Sequence, residues 1–246
     1  MLRRLVLFLC LAIPVPGLAQ SADVQGPVSR VTLVELFTSE GCSSCPPAEK
    51  WLNGVEARSD LWSRVVPVAF HVDYWDYIGW PDRFAAREHS NRQRTYREVG
   101  HTRGVYTPGF VVGGREWRGW FRNPTLKLPA DVDVGSISVD VRDGRFDARF
   151  EPVVEVPERI DLHVARLGFD FVTEVGAGEN HGRTLEHSFV VLGWSRHRMS
   201  IGDGVYEASG ELPAASNPSP REAVAVWVSV PGDPLPIQAA GHWLVH

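Results

Sequence analysis

Cysteine is scarce in this chain: three residues in 246, at positions 10, 42 and 45. That scarcity excludes a small scaffold stapled by several disulfides, and no second close cysteine pair is present to complete a four-thiolate zinc centre. Long apolar runs are missing too. The longest, residues 5–13, falls short of the roughly 18 residues that a membrane-crossing helix needs. Basic charge is in deficit, with 25 Lys and Arg against 30 Asp and Glu. No nucleic-acid partner is expected, because contacts to phosphate need a basic surface. The glycine-rich stretch 176–183 lacks the Gly-Lys-Ser/Thr of a phosphate loop, so nucleotide binding is not indicated. No internal repeat or low-complexity tract is visible. What remains, 43% apolar and 22% charged residues, is the balance of a folded, soluble protein with room for one large or two ordinary domains.

The N-terminus has a character of its own. Leu2-Arg3-Arg4 supplies a basic start, the apolar run follows, and Gly17-Leu18-Ala19 places small residues where signal peptidase requires them. Residues 1–19 are expected to be a cleaved signal peptide, leaving a periplasmic or secreted chain without a stable membrane span. Cleavage takes Cys10, Arg3 and Arg4, so the mature chain has 23 basic residues against 30 acidic and keeps only Cys42 and Cys45. Both belong to one Cys-x-x-Cys, whose loop is too small to staple a fold.

Residues 31–37 are strand-forming and almost continuously apolar, as in a strand covered on both faces. After Cys42-Ser43-Ser44-Cys45, Pro46 and Pro47 suit the first turn of a helix. Ala48, Trp51, Leu52 and Val55 then fall on one helical face. A second buried strand is expected at 65–72, a helix within 81–99, and a hairpin over 110–118 closed by Gly113-Gly114. From Asn123-Pro124 to about 133 the pattern weakens into a linker. Beyond it, alternating residues flank the Asp143-Gly144 turn, and Val224, Val226 and Val228 share one strand face. The expectation is an α/β thioredoxin-like domain over 28–125, followed by an antiparallel β-sandwich-like domain over 130–246.

The chemistry centres on the cysteines. A thiol at a helix N-terminus sits in the positive end of the helix dipole, which favours its thiolate; Cys42 is thus the expected nucleophile. Cys45, one turn on, can attack a mixed disulfide on Cys42 and release the product. The expected activity is thiol–disulfide exchange without a cofactor, on a protein thiol or disulfide client and with a redox partner, neither of which the sequence identifies. The pattern does not choose its direction. Two other readings stay open: a metal-handling protein holding Cu(I) on Cys42, Cys45 and His71, or a non-catalytic interaction module.

Four ordered motifs, from Val34-Glu35-Leu36-Phe37 through Cys45-Pro46-Pro47, then His71-Val72-Asp73-Tyr74-Trp75-Asp76, Tyr106-Thr107-Pro108 and Gly178-Glu179-Asn180-His181-Gly182-Arg183-Thr184-Leu185, carry a resemblance. Together they resemble the exported bacterial family known as domain of unknown function 1223, over nearly all of the mature chain. The resemblance implies a thioredoxin-like first part and a β-rich second part. It also implies a cis Thr107-Pro108 bond beside the cysteines, shaping a substrate groove. Gly109 departs from the family, where Gln is frequent, so any contact made by that side chain is absent.

Supporting residues are fewer. Glu35, the odd polar residue in an apolar strand, is either a proton relay for Cys45 or a structural acid paired with an arginine. His71 and Asp73, at the end of the second strand, are candidates to tune the thiolate. Tyr74, Trp75, Tyr77, Trp80 and Phe84 are expected mostly as interdomain core, and Arg83, Arg87, Arg92, Arg94, Arg97 and Arg103 as a solvated face. The stretch 176–183 is a loop able to reach the first domain, with Glu186 and His187 just beyond it as weak ligand candidates.

Overall fold

Strands made of unbroken β-branched and aromatic residues have no polar face to offer water, so they can only lie inside a sheet covered on both sides. The computed structural model describes residues 20–122 and 125–245. The expected leader, Asn123-Pro124 and His246 lie outside these residues. In chain order come β1 (Ser21–Gln25), β2 (Thr32–Thr38), helix α1 (Pro46–Asn53), β3 (Val65–His71), helix α2 (Arg87–Glu98), and the hairpin β4 (Gly109–Val112) and β5 (Arg115–Glu116). Next are β6 (Gly135–Arg142), β7 (Arg145–Pro152), β8 (Asp161–Phe169), β9 (Phe171–Glu174) and β10 (Thr184–His187). The last five are β11 (Val190–Arg198), β12 (Ser200–Gly202), β13 (Val205–Glu211), β14 (Arg221–Ser229) and β15 (Pro236–Trp243).

The structure corrects the expected fold. A thioredoxin-like α/β domain followed by a β-sandwich-like domain would place β3 and β11 in different sheets. Instead an eight-stranded sheet runs β15-β14-β8-β11-β3-β2-β4-β5. The join is parallel, with Val190 of β11 opposite Ala69 of β3 and the Ala69 N–H donating to the Phe189 carbonyl at 2.8 Å. At about 45% strand and 13% helix the molecule is mainly β, and no separate thioredoxin-like core is indicated. The physical reason is that β3 is apolar on both sides and has an unfilled edge; β11 supplies the partner that caps it.

The period of two along the strands assigns the two cores. In β14, Ala223, Ala225 and Trp227 face the core shared with β2, β3 and α1, whereas Val224, Val226 and Val228 face a second core. That second core is closed by a five-stranded sheet, β1-β6-β7-β13-β12. Asp143 and Gly144, both at positive φ (52° and 72°), make the β6–β7 turn. In β2, where all seven residues are buried, Phe37 lies edge-on to Tyr96 of α2. Thr38, on the alternate side, reaches Glu49 of α1. The two helices thus cover opposite faces, and the cysteines lie on the α1 side.

Candidate active site

The chain leaves β2 at Thr38 and turns sharply through Ser39-Glu40-Gly41. A Cβ at Gly41 would stand 3.1 Å from Ile78 Cδ1, so a larger residue would crowd the approach. Cys45 occupies the N-cap position of α1, and its carbonyl accepts from the N–H groups of Ala48 and Glu49 at 2.9 and 3.1 Å. Pro46 and Pro47 occupy the first helical positions, where a missing N–H costs little. Both cysteines are unbridged and buried, Cys42 being 1% exposed.

Their settings differ. Hydrogen bonding from Cys45, helped by Ser44 and Thr107 and opposed by burial, brings the Cys42 thiol down to about 6. Ser44 Oγ lies 3.3 Å from Cys42 Sγ. Cys45 moves the other way: burial pushes it well above the ordinary thiol range, and the neighbouring charges of Cys42 and Glu49 add to the rise. One sulfur is therefore poised as thiolate and the other holds its proton and donates it to the first.

Below Cys45 lies a buried network of carboxylates and imidazoles. Thr38 Oγ1 donates to Glu49 Oε1, and His187 Nδ1 is hydrogen-bonded to Glu49 Oε2. His187 Nε2 is 3.2 Å from Glu40 Oε1, close enough for ion pairing but without hydrogen-bond geometry. The other Glu40 oxygen accepts from Trp80 Nε1 at 2.7 Å. His71 Nδ1 pairs with Asp82 Oδ2, also at 2.7 Å. Burial opposes charge on both partners of the His187–Glu49 pair. The carboxylates nevertheless raise His187 to about 10, and the imidazoles hold Glu49 below the ordinary range.

The stretch after β9 covers the cysteine loop. Glu179 Oε2 accepts from Ser43 N and Oγ at 3.1 and 2.6 Å. The buried Asn180 amide donates to the carbonyls of Glu40 and Cys42 at 2.8 and 3.0 Å. Asn53, at the end of α1, holds the following strand by donating to the Glu186 carbonyl and accepting from Ser188 N.

The family described as "Protein of unknown function (DUF1223)" matches residues 33–229. The chain belongs to that family. A crystal structure of a protein from Agrobacterium tumefaciens is similar at 25% identity and a TM-score of 0.59, covering 86% of this chain and 94% of that one. HBP35 of Porphyromonas gingivalis is similar in fold, with 16% identity, a TM-score of 0.56, and coverage of 88% of this chain and 76% of that one. No curated protein matches the chain.

The family match spans every residue assigned to the site from sequence, and the structure sorts them. Cys42, Cys45 and Thr107 come together, and the Thr107-Pro108 bond is cis. Thr107 Oγ1 is fixed by Trp75 Nε1 at 2.7 Å. Beside it, a Cβ on Gly109 would meet Tyr106 O at 2.8 Å and Gln93 Nε2 at 3.0 Å. Glu35 is turned to the α2 face, where Arg92 Nε donates to it at 2.6 Å and Tyr96 OH also donates. Arg92 is thereby buried rather than solvated, with its guanidinium over the rings of Phe70, Tyr96, Trp194 and Trp227. Asp73 accepts from Ser90 Oγ at the start of α2. His71 joins Asp82 and His187 rather than the thiols. Of the aromatic segment, Phe84 is buried and Tyr77 is 83% exposed. Sequence reasoning missed Glu49 and Thr38. The spacing that marks Glu49 is four residues from Cys45, the next turn of the same helix face.

Proposed function

We propose that this protein is an exported thiol–disulfide oxidoreductase, acting on protein thiols or disulfides through Cys42 and Cys45. The observation that carries the reading is the unlike setting of two unbridged thiols one helical turn apart, Cys42 lowered to about 6 and Cys45 raised. An inert pair has no need of that asymmetry.

The Cys42 thiolate attacks one sulfur of a client disulfide. A Cys42–client bond forms, the client S–S bond breaks, and the departing client sulfur takes a proton. Cys45 then gives its proton through Thr38 to Glu49 and attacks Cys42 Sγ. The Cys42–client bond breaks as the Cys42–Cys45 bond forms, the second client sulfur leaves and takes a proton, and two electrons have passed from the cysteine pair to the client. The reverse sequence oxidises a dithiol, and the partner that resets the pair sets the direction. Glu49 keeps Cys45 protonated until the attack, because its negative charge opposes a second one nearby. Thr107 and Pro108 line the groove where the client lies. Since Cys42 is buried, the cover made by Glu179 and Asn180 lifts for a protein client to reach it. The basic start, apolar run and Gly17-Leu18-Ala19 support export. Among the described residues no helix is long and apolar enough to cross a membrane.

The test is reduction of a protein disulfide by the full chain. Wild type should turn over, C42S should be inactive, and C45S should accumulate a mixed disulfide with the client. Turnover by C42S at the wild-type rate would remove the assignment.

A further inference from the structure

The network beneath the cysteines contains more acceptor capacity than its protein partners use. One donor atom from each of Glu49, His71 and His187 lies within 4.8 Å of the other two, and all three residues are buried. Among the described residues His71 Nε2 has no hydrogen-bond partner, and His187 Nε2 and Glu40 Oε1 face each other at 3.2 Å without hydrogen-bond geometry. Native proteins rarely leave such atoms unmatched. Each imidazole has a carboxylate beside the nitrogen that an ion would leave free, Asp82 on His71 Nδ1 and Glu40 at 3.2 Å from His187 Nε2. This is how proteins orient metal-binding histidines and direct the second nitrogen at the ion. Among the described residues the three buried carboxylates Glu40, Glu49 and Asp82 have no Arg or Lys as an ion-pair partner; the two histidines face them. A buried water would satisfy the lone atoms but would not offset that excess of negative groups.

We propose that Glu49, His71 and His187 form a binding site for a divalent transition metal, with zinc as the fitting ion. Two imidazoles and one carboxylate are a donor set zinc accepts, with a fourth position left for water. Bonds of about 2.0–2.2 Å put the ion between His187 Nδ1 and Glu49 Oε2 in place of their hydrogen bond, with His71 Nε2 drawing in to join them. No cysteine is a ligand, so the site does not rest on the thiol reading. Glu49 divides its oxygens: Oε1 meets Thr38 on the thiol side, and Oε2 faces His187.

The experiment is zinc titration of the chelator-treated full chain against a chromophoric competitor, in wild type and in a C42S/C45S protein. Both should bind one zinc with equal affinity. H71Q and H187Q should each weaken binding by ~100-fold, while H101Q, outside the cluster, should not change it. Cobalt(II) on the wild-type chain should give weak ligand-field bands and no thiolate charge-transfer band, a readout that stands even if the histidine variants fail to fold. Absence of binding, its loss in C42S/C45S, its retention in H71Q and H187Q, or a thiolate band would each overturn the site.

Discussion

Glu35 and Glu49 are both buried carboxylates on neighbouring elements, one on β2 and one on α1, yet they lead different lives. Glu35 is closed in on the α2 side: Arg92 and Tyr96 take its oxygens, aromatic rings cover the guanidinium, and among the described residues the one fully buried atom left without a partner beside them is Trp227 Nε1. Nearby, His163 lies flat against Trp227 and hydrogen-bonds Ser229. Glu49 belongs to a network in which His71 Nε2 has no partner among the described residues and His187 Nε2 faces Glu40 Oε1 without hydrogen-bond geometry, and its charge adds to the rise of Cys45. A satisfied buried network fixes geometry, while an incompletely satisfied one keeps the capacity to take up a proton or a ligand. The same residue type is held by an arginine and a tyrosine on one face of the sheet and by a histidine and a threonine on the other.

The comparison breaks most easily at Glu35. E35Q leaves the buried guanidinium without its counter-charge, a loss on the order of 3–5 kcal/mol, which denaturant unfolding will measure. The pH dependence of Cys42 should be unmoved; a change there would mean that Glu35 reaches the thiols after all. E49Q should do the reverse. It costs less stability, but protein-disulfide exchange should fall by about 100-fold, the scale of a lost proton acceptor, and Cys45 should become more acidic. Stopped-flow exchange at fixed client concentration decides this, and an unchanged rate would reduce Glu49 to a structural acid.

Smaller effects test the cover and the closed network. N180A leaves the Glu40 carbonyl without its Asn180 donor and the Cys42 carbonyl with only the Cys45 N–H, costing about 1–3 kcal/mol, and should speed alkylation of Cys42 in the folded protein. Equal rates would show that the loop does not restrict access. Burial, with neighbouring cations, keeps His163 neutral by holding it well below 6.5. The unfolded chain then takes up the proton first, so stability is lost as pH falls through about 6.5. An H163F variant should lack that part of the acid-side slope in unfolding free energy measured between neutral pH and pH 5.

Much of this was legible in the sequence. Unbroken apolar runs marked β2 and β3, Pro46-Pro47 marked the start of α1, and Asp143-Gly144 marked the β6–β7 turn, because each is a local rule. The continuous sheet was not legible. Val190 opposite Ala69 is a pairing across 121 positions, and nothing in either strand names the other. Glu35 was singled out because an acid stands out in an apolar strand. The period of two, counted from Thr38, puts it on the face away from α1. Glu49 is hidden in a helix where acids are ordinary, and only its spacing from Cys45 distinguishes it. Arg92 looked solvated among its arginine neighbours because its aromatic partners Trp194 and Trp227 lie a hundred or more residues away.

The central claim is that Cys42 and Cys45 are unlike thiols with Cys42 as the nucleophile, and a pH series of thiolate absorbance with mass mapping of alkylated sites tests it most directly. The reduced protein should show one thiolate forming with a midpoint at about 6. The label should fall on Cys42, and Cys45 should remain unmodified until far more alkaline pH. Two thiols titrating together near the free-cysteine value of about 8.5, or first labelling at Cys45, would contradict the account.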